Sequence, residues 1–337
     1  MLQHRWALIL GAALFAVLPV MADVETGLRV LTPTPQGEKI FFIHVEQGFP
    51  ETLYAMNPDG GGKTPVLEGS ILEFNVTRGG EKKILVSAGD TSEHYGDEQH
   101  RWGPVHMHLW LYDEKDLRQL TSGALRDMAA SWAWDKKSIY FSRASNVKMA
   151  GNEIKSEPIA IYMAAPDGKN ARSLTLSATY DNVHPRPTPD RRYFTFTSNR
   201  NKKWQIYMAD SDGKNERVFI EDGFMGDWSP SGEYFAFLKT LPGDIFLANR
   251  EGKIIKQLTT SGRVVSEPAW SPDGKKLAYA QLNGNIPSQP PEAKEPKKDA
   301  TPELLSKDGH GETPPPVMVS YDPGKEEPLE DIWVLHL

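Results

Sequence analysis

Histidine and carboxylate side chains are concentrated in one stretch of this 337-residue sequence, between residues 90 and 108. Four of the nine histidines lie there: His94, His100, His106 and His108. If the end of the stretch is extended, His106 and His108 point to the same side of a strand, as two ligands of one metal ion do. His184, in a separate connecting segment, supplies a third imidazole in this hypothesis.

The pattern thus predicts a divalent metal ion held by His106, His108 and His184. Such a site suits a metal-dependent lyase or hydrolase acting on a polysaccharide. The neighbouring side chains that would assist the reaction are Asp97, Glu98 and Arg101.

A second interpretation of the same stretch stays open, because histidine clusters without fixed spacing are also typical of polar loops. In such a loop the rings hydrogen-bond neighbouring carboxylates, and no cofactor is expected. The loop then offers a face for a ligand or partner, on which Trp102 could stack. The residues of this predicted face are His94, His100, Arg101 and Trp102.

Charge and motif content restrict the function classes. The chain carries 38 Lys and Arg against 45 Asp and Glu, a net charge of −7, so nucleic acid and anionic membranes are poor candidate partners. Without cysteine, no disulfide can form and stability must come from packing. No Gly-x-Ser-x-Gly nucleophile turn occurs. We therefore assign no catalytic residue, and expect Ser229 and Ser271 to be turn residues.

An internal repeat with a period near forty residues organises the chain. Its clearest copy is Trp270-Ser-Pro-Asp-Gly-Lys-Lys-Leu-Ala-Tyr279. The first apolar residue after each turn falls at Ile40, Ile84, Ile139, Phe194, Phe235 and Leu277, at intervals of 44, 55, 55, 41 and 42. Propellers and some helical arrays have such periods, and the strand-type composition excludes the helices.

Two further phrases complete each repeat. An aromatic-rich strand runs into an Asp-Gly or Glu-Gly turn at residues 53–60, 161–168, 206–213 and 245–252, and Leu-Thr pairs at 120, 174 and 258 are interpreted as outer strands. The predicted fold is all-β, a six-bladed β-propeller of four-stranded antiparallel blades. We expect one propeller domain over residues 23–337.

These phrases in this order resemble the TolB-type propeller repeat, over roughly residues 29–282 and the last strand. TolB itself carries an α/β domain before its propeller, which we do not expect in this protein. The resemblance implies a TolB-like protein of the cell envelope with protein partners. The prolyl oligopeptidase relatives share the repeat, but the hydrolase domain that follows it there is not expected here.

Long insertions are predicted in the second, third and sixth blades, all on one face, which we expect to be functional because loops on a rigid scaffold carry binding. The sixth-blade insertion, about residues 283–330, holds ten of the 26 prolines and is interpreted as a disordered loop or a partner-recognition segment. Within it, residues 317–321 could pair with 332–335. Residues 29–34 fit the inner strand of blade one, whereas residues 28–32 also match the outer-strand phrase, which would place them in blade six.

The N-terminus predicts export. Arg5 is followed by an apolar run over residues 6–20 and a small-residue site at Ala22, the pattern of a signal peptide at residues 1–22. We expect a periplasmic mature chain without a membrane span. The favoured function is a non-catalytic scaffold that binds an envelope protein or peptide, or a glycan, with the metal-dependent polysaccharide enzyme as the alternative.

Overall fold

The protein is described here from a computed structural model, which covers thirteen segments of the chain. The described residues are 30–34, 37–44, 52–68, 71–76, 83–89, 105–113, 115–151, 153–176, 179–239, 243–260, 268–282, 317–319 and 330–336. In these segments the structure is all-β, apart from one 3-10 turn at Arg200–Lys202. The predicted signal peptide and most of the sixth insertion lie outside the described residues.

The first three strand groups are built from consecutive antiparallel strands. Group 1 contains β1 (Val30–Thr34), β2 (Gly37–His44), β3 (Thr52–Met56) and β4 (Thr64–Glu68). Group 2 contains β5 (Ile71–Val76), β6 (Ile84–Gly89), β7 (Met107–Tyr112) and β8 (Leu117–Gln119). Group 3 contains β9 (Arg126–Trp132), β10 (Ile139–Ala144), β13 (Ala160–Ala164) and β14 (Arg172–Ser173), interrupted by the hairpin of β11 (Lys148–Ala150) and β12 (Glu153–Lys155). A parallel bridge from Met107 to Arg126 joins groups 2 and 3 into one sheet.

The last three groups repeat the pattern. Group 4 contains β15 (Asn182–Pro187), β16 (Tyr193–Ser198), β17 (Gln205–Asp210) and β18 (Arg217–Ile220). Group 5 contains β19 (Phe224–Trp228), β20 (Tyr234–Leu238), β21 (Ile245–Asn249) and β22 (Ile254–Gln257). Group 6 contains β23 (Ala269–Trp270), β24 (Lys276–Leu282), β25 (Val317–Val319) and β26 (Glu330–His336), in the spatial order β23-β24-β26-β25.

Both open questions about the chain ends are answered by strand pairing. Strand β1 pairs with β2, so the N-terminal strand is the first strand of group 1 rather than the outer strand of the last group. Strand β25 pairs with β26, Val317 opposite Val334, so part of the sixth insertion does complete group 6 as its edge strand.

The first strand of each group, its inner strand, contacts the inner strand of the next. The contacts run from β1 to β5, β9, β15, β19 and β23, and β23 in turn contacts β1. Apolar side chains pack in the spaces between groups, because alternate residues of a strand face opposite sides. Phe41 and Ile43 pack with group 2, whereas Ile40 and Phe42 pack with Ala278 of group 6.

The Ser residues of the Trp-Ser-Pro phrases hold turns, as predicted. The Oγ of Ser271 accepts a hydrogen bond from the backbone N–H of Lys276 at 2.8 Å and donates one to Asp273 at 2.6 Å. The Oγ of Ser229 accepts from the N–H of Tyr234 at 3.1 Å. These hydroxyls close the turn between the first two strands.

The predicted outer strands are present, but their bounds differ, because the Leu-Thr pairs stand directly after strands β8, β14 and β22 rather than within them. The pairs bond back to residues near the start of the third strands. At Leu174-Thr175, the Leu N–H donates to Ile161 O at 2.7 Å and the Thr hydroxyl accepts from Ile161 N–H at 2.9 Å. Thr121 and Thr259 bond the N–H of Leu109 and Ile245 in the same way. We call this pair the Leu-Thr clasp, because it hydrogen-bonds both the backbone N–H and the backbone C=O of one residue in the third strand.

Inner strands carry a bulge at a residue of positive φ. The register shifts near Ala129, His184 and Met225, whose φ angles are 50°, 54° and 43°. In each case a side chain of the preceding group accepts a hydrogen bond from the backbone N–H of the bulge residue. These pairs are Glu73 with Ala129, Ser142 with His184, and Thr197 with Met225. Neighbouring groups are therefore linked by hydrogen bonds at equivalent places.

Candidate functional site

His106 and His108 both reach backbone carbonyls of group 3. The Nε2 of His106 lies 3.3 Å from Val147 O, and the Nε2 of His108 lies 3.0 Å from Gly123 O. A carbonyl only accepts, so each Nε2 carries the proton and donates. His108 is buried and His106 half-buried. Both rings tie group 2 to the loops of group 3.

His184 lies in group 4 and has different surroundings. It is buried, and its ring packs edge-on against Phe224 with centroids 5.8 Å apart. Its Nδ1 is buried without a hydrogen-bond partner among the described residues. Burial, and secondarily the positive charge of Arg186, lower the pKa of His184 to about 3. The ring is therefore neutral at ordinary pH.

The described residues include no group of three or more His, Cys, Asp and Glu side chains placed to hold a metal ion. The metal hypothesis for His106, His108 and His184 stays a prediction. The predicted ligand face lies outside the described residues. It consists of His94, His100, Arg101 and Trp102. Asp97 and Glu98 beside it lie outside them as well.

A polar layer that the repeat analysis missed lies at the turn ends of the inner strands. In four consecutive groups the residue before the turn tryptophan, or before its equivalent, is polar: Asn75, Ser131, Arg186 and Asp227. Together they line one cleft, here called the axial cleft, whose rim includes Trp134 and Lys136. The cleft has room for about 30 Å³, roughly one water molecule or one small polar group.

Three of the four residues of this layer also form hydrogen bonds with the next group. Asn75 Oδ1 accepts from Trp132 N–H at 3.3 Å, and Asp227 Oδ2 accepts from Trp270 N–H at 3.3 Å. Ser131 Oγ donates to Pro185 O at 2.7 Å. Ser131 is therefore engaged as a structural donor, which is not how an activated nucleophile is held.

Charged groups meet behind the axial cleft. Burial raises the pKa of Glu73, while the N–H of Ala129 and the charges of Arg186 and Arg126 act against that rise. Burial likewise lowers the pKa of Arg126, opposed by the charge of Glu73. Opposite charges thus offset part of each other's desolvation.

A second, larger cleft opens between the turns of groups 2 and 3 and is called here the radial cleft. It holds about 310 Å³ and is lined on the group 2 side by Lys83, Asp113 and Arg118. Trp132 and Lys136 line both clefts. The two clefts therefore adjoin, and together they form the turn-end groove.

The turn-end groove lies at the opposite end of the strands from the long insertions. It is built from tight turns. The sequence analysis expected function on the face with the long insertions, and so it did not predict a site at this end. One signal was present in the sequence. Lys136 and Arg191 stand where the other repeats have Gly232 and Gly274, and all four have positive φ. A basic side chain costs more backbone energy than glycine in this conformation, and of the two basic residues only Lys136 lines the groove.

The fold described above is of the β-propeller type, all-β with antiparallel groups packed side by side. Residues 142–287 match the family model described as TolB beta propeller domain. The chain is TolB-like in its repeat, as the quoted phrases predicted.

Individual relatives agree with this likeness. The TolB homolog of Chlorobium chlorochromatii is 33% identical over 170 residues, 49% of this chain and 37% of that protein. The TolB homolog of Chlorobium luteolum is 32% identical over 135 residues, 38% of this chain and 30% of that protein. TolB from Acinetobacter baumannii superposes with a TM-score of 0.54 at 22% identity, over 77% of this chain and 58% of that one. This chain thus spans less than two thirds of each relative, and the structural likeness shows the fold alone.

Proposed function

We propose that this chain is a binding scaffold of the cell envelope that holds a protein or peptide partner in the turn-end groove. The observation that carries the proposal is that the axial and radial clefts share Trp132 and Lys136 in their linings. Clefts that present a few polar groups on a rigid frame are where proteins bind ligands.

The frame is proposed to be a closed ring of six four-stranded blades, one for each strand group. The ordered contacts of the inner strands, with β23 returning to β1, support closure. The packing of Ala278 against Ile40 and Phe42 supports it as well. A closed ring keeps each blade's two faces buried, which no single blade could do.

A binding role rather than catalysis is supported by the structural hydrogen bonds that the serine and histidine side chains already form. The hydroxyls of Ser131, Ser229 and Ser271 are donors or acceptors in structural bonds. The rings of His106 and His108 are likewise bonded to backbone carbonyls. The groove is therefore suited to binding a partner.

The location in the envelope rests on the predicted signal peptide and on the TolB-like repeat. Over the described segments, no helix is both long and apolar enough to cross a bilayer. The mature chain is proposed to act in the periplasm, where its lack of cysteine removes any need for oxidative folding.

Site-specific photo-crosslinking tests the proposal. A photoreactive residue replaces Lys136 in the groove or, as the matched control, Lys155 of β12 at the opposite end. One protein that crosslinks from position 136, and rebinds the chain when purified, is the expected result. Crosslinking from position 155 alone would contradict the proposed site and favour the long-insertion face.

A further inference from the structure

We infer that the radial cleft binds a carboxylate-bearing segment of the partner, an acidic peptide, with Lys136, Arg118 and the indole N–H of Trp132 as recognition groups. This inference rests on the proposed function and names the chemistry of its ligand.

The charge of the radial cleft is the first argument. Three cations line it, Lys83, Arg118 and Lys136, against the two carboxylates Asp113 and Asp167. Among the described residues that line the cleft, cations therefore outnumber carboxylates by one, in a chain whose net charge is −7. Such an excess of positive charge attracts anionic groups.

Both carboxylates of the cleft are bound within their own turns. Asp113 Oδ1 accepts from Asp116 N–H at 3.1 Å, which lowers the pKa of Asp113, and the charges of Arg118 and Lys83 lower it further. Asp167 Oδ1 accepts from Lys169 N–H at 3.1 Å, which lowers the pKa of Asp167. Each carboxylate therefore stays charged and serves its turn.

The second, independent argument is the indole of Trp132. Its side chain is 8% exposed, and its Nε1 is buried without an acceptor in the described part of the chain. The matching nitrogens of Trp228 and Trp270 donate to Thr195 Oγ1 and to Asp227 O. A buried donor without an acceptor, on a cleft lined with cations, suits an anionic oxygen of a ligand.

Burial of Trp132 also decides between classes of ligand. Sugars stack on the open face of an aromatic ring, and a ring that is 8% exposed offers no such face. An extended peptide needs only the cleft and its donors. The peptide is therefore favoured over an acidic glycan.

Lys136 offers a variant that separates binding from folding. With φ of 60° it occupies a glycine-type conformation, so Lys136→Gly relieves strain while removing the charge. Arg191→Gly is the matched control, since Arg191 has φ of 62° in the same turn of the next group and lines neither cleft. Each variant loses one positive charge.

The test titrates the full chain with a fluorescent oligoglutamate peptide, against oligoglutamine and oligogalacturonate, by anisotropy at low salt. We expect oligoglutamate to bind in preference to both, and Lys136→Gly to weaken it about fivefold while Arg191→Gly does not. Equal weakening by both variants, equal binding of oligoglutamine, or tighter binding of oligogalacturonate would overturn the inference.

A site-resolved readout accompanies the titration. The indole N–H resonance of Trp132 is identified by its loss in Trp132→Phe, and it should shift on addition of oligoglutamate. A resonance that stays in place would overturn the inference. If position 136 crosslinks a partner while oligoglutamate does not bind, the proposed function stands and only the acidic ligand is wrong.

Discussion

At the scale of single residues, equivalent positions in the repeat have acquired different surroundings. The indole N–H groups of Trp228 and Trp270 are satisfied inside the protein, whereas that of Trp132 has no acceptor among the described residues. The same repeated turn thus carries a structural bond in two groups and an unbonded donor, among the described residues, in a third. The difference defines where the groove can recognise a ligand.

Phenylalanine substitutions test this difference through stability. Trp270→Phe loses the hydrogen bond to Asp227 O, and we expect the free energy of unfolding to fall by about 1 kcal/mol. Both variants also lose buried ring contacts, but Trp132→Phe removes a donor that has no acceptor among the described residues, so its loss should be smaller than that of Trp270→Phe. Urea unfolding of both variants is the measurement. A larger loss in Trp132→Phe than in Trp270→Phe would show that the Trp132 donor is bonded.

His184 makes stability depend on pH. Its folded pKa is lowered to about 3, so between there and its ordinary value of 6.5 the unfolded chain binds the extra proton. Stability is therefore lost as the pH falls from about 6.5 towards about 3. Glu73, whose pKa burial raises, acts with the opposite sign. His184→Asn, which tolerates the positive φ, should flatten the loss between about pH 7 and about pH 5 in urea unfolding. An unchanged slope would contradict the burial of a neutral ring.

At the scale of the strand, the Leu-Thr clasp explains a sequence phrase whose meaning was misjudged. The pair recurs because its backbone N–H and its hydroxyl bond both groups of one residue in the third strand. A short apolar-polar pair after a turn is equally compatible with an edge strand, and only the tertiary arrangement distinguishes the two.

Substitution of Thr175 measures the clasp. Thr175→Val keeps the shape but leaves the buried N–H of Ile161 without its acceptor, so the free energy of unfolding should fall by about 1–3 kcal/mol. Thr175→Ser keeps the hydroxyl and should cost clearly less. Equal losses for Val and Ser would assign the effect to packing instead.

The sequence predicted the repeat well because its signals are local. Trp-Ser-Pro turns, Asp-Gly hairpins and alternating apolar residues depend on neighbours in the chain, so strands and turns could be placed. The axial cleft could not be found in this way, because Asn75, Ser131, Arg186 and Asp227 differ in type and meet only when the groups come together. The same reason applies to the bulge residues, whose N–H groups are bonded by the preceding group.

At the scale of the whole molecule, group 6 is assembled from distant parts of the chain, and β25 is its edge strand. Two deletions separate the insertion from this strand. Removal of residues 287–306 keeps β25, and the thermal midpoint should stay close to that of the full chain. Removal of residues 287–319 also takes β25, so the midpoint should fall, because β26 keeps its pairing with β24 but becomes an unpaired edge. Equal midpoints for the two deletions would show that β25 does not stabilise group 6.

Hydrogen exchange of the full chain with and without its crosslinked and purified partner tests the central claim most directly. If the turn-end groove is the binding site, protection should appear in the turns at residues 133–138 and 166–169 and at residues 115–118. Exchange should stay unchanged at 145–157, at the opposite end of group 3. Protection confined to 90–104 and 145–157 would contradict the account and place the partner on the face of the long insertions.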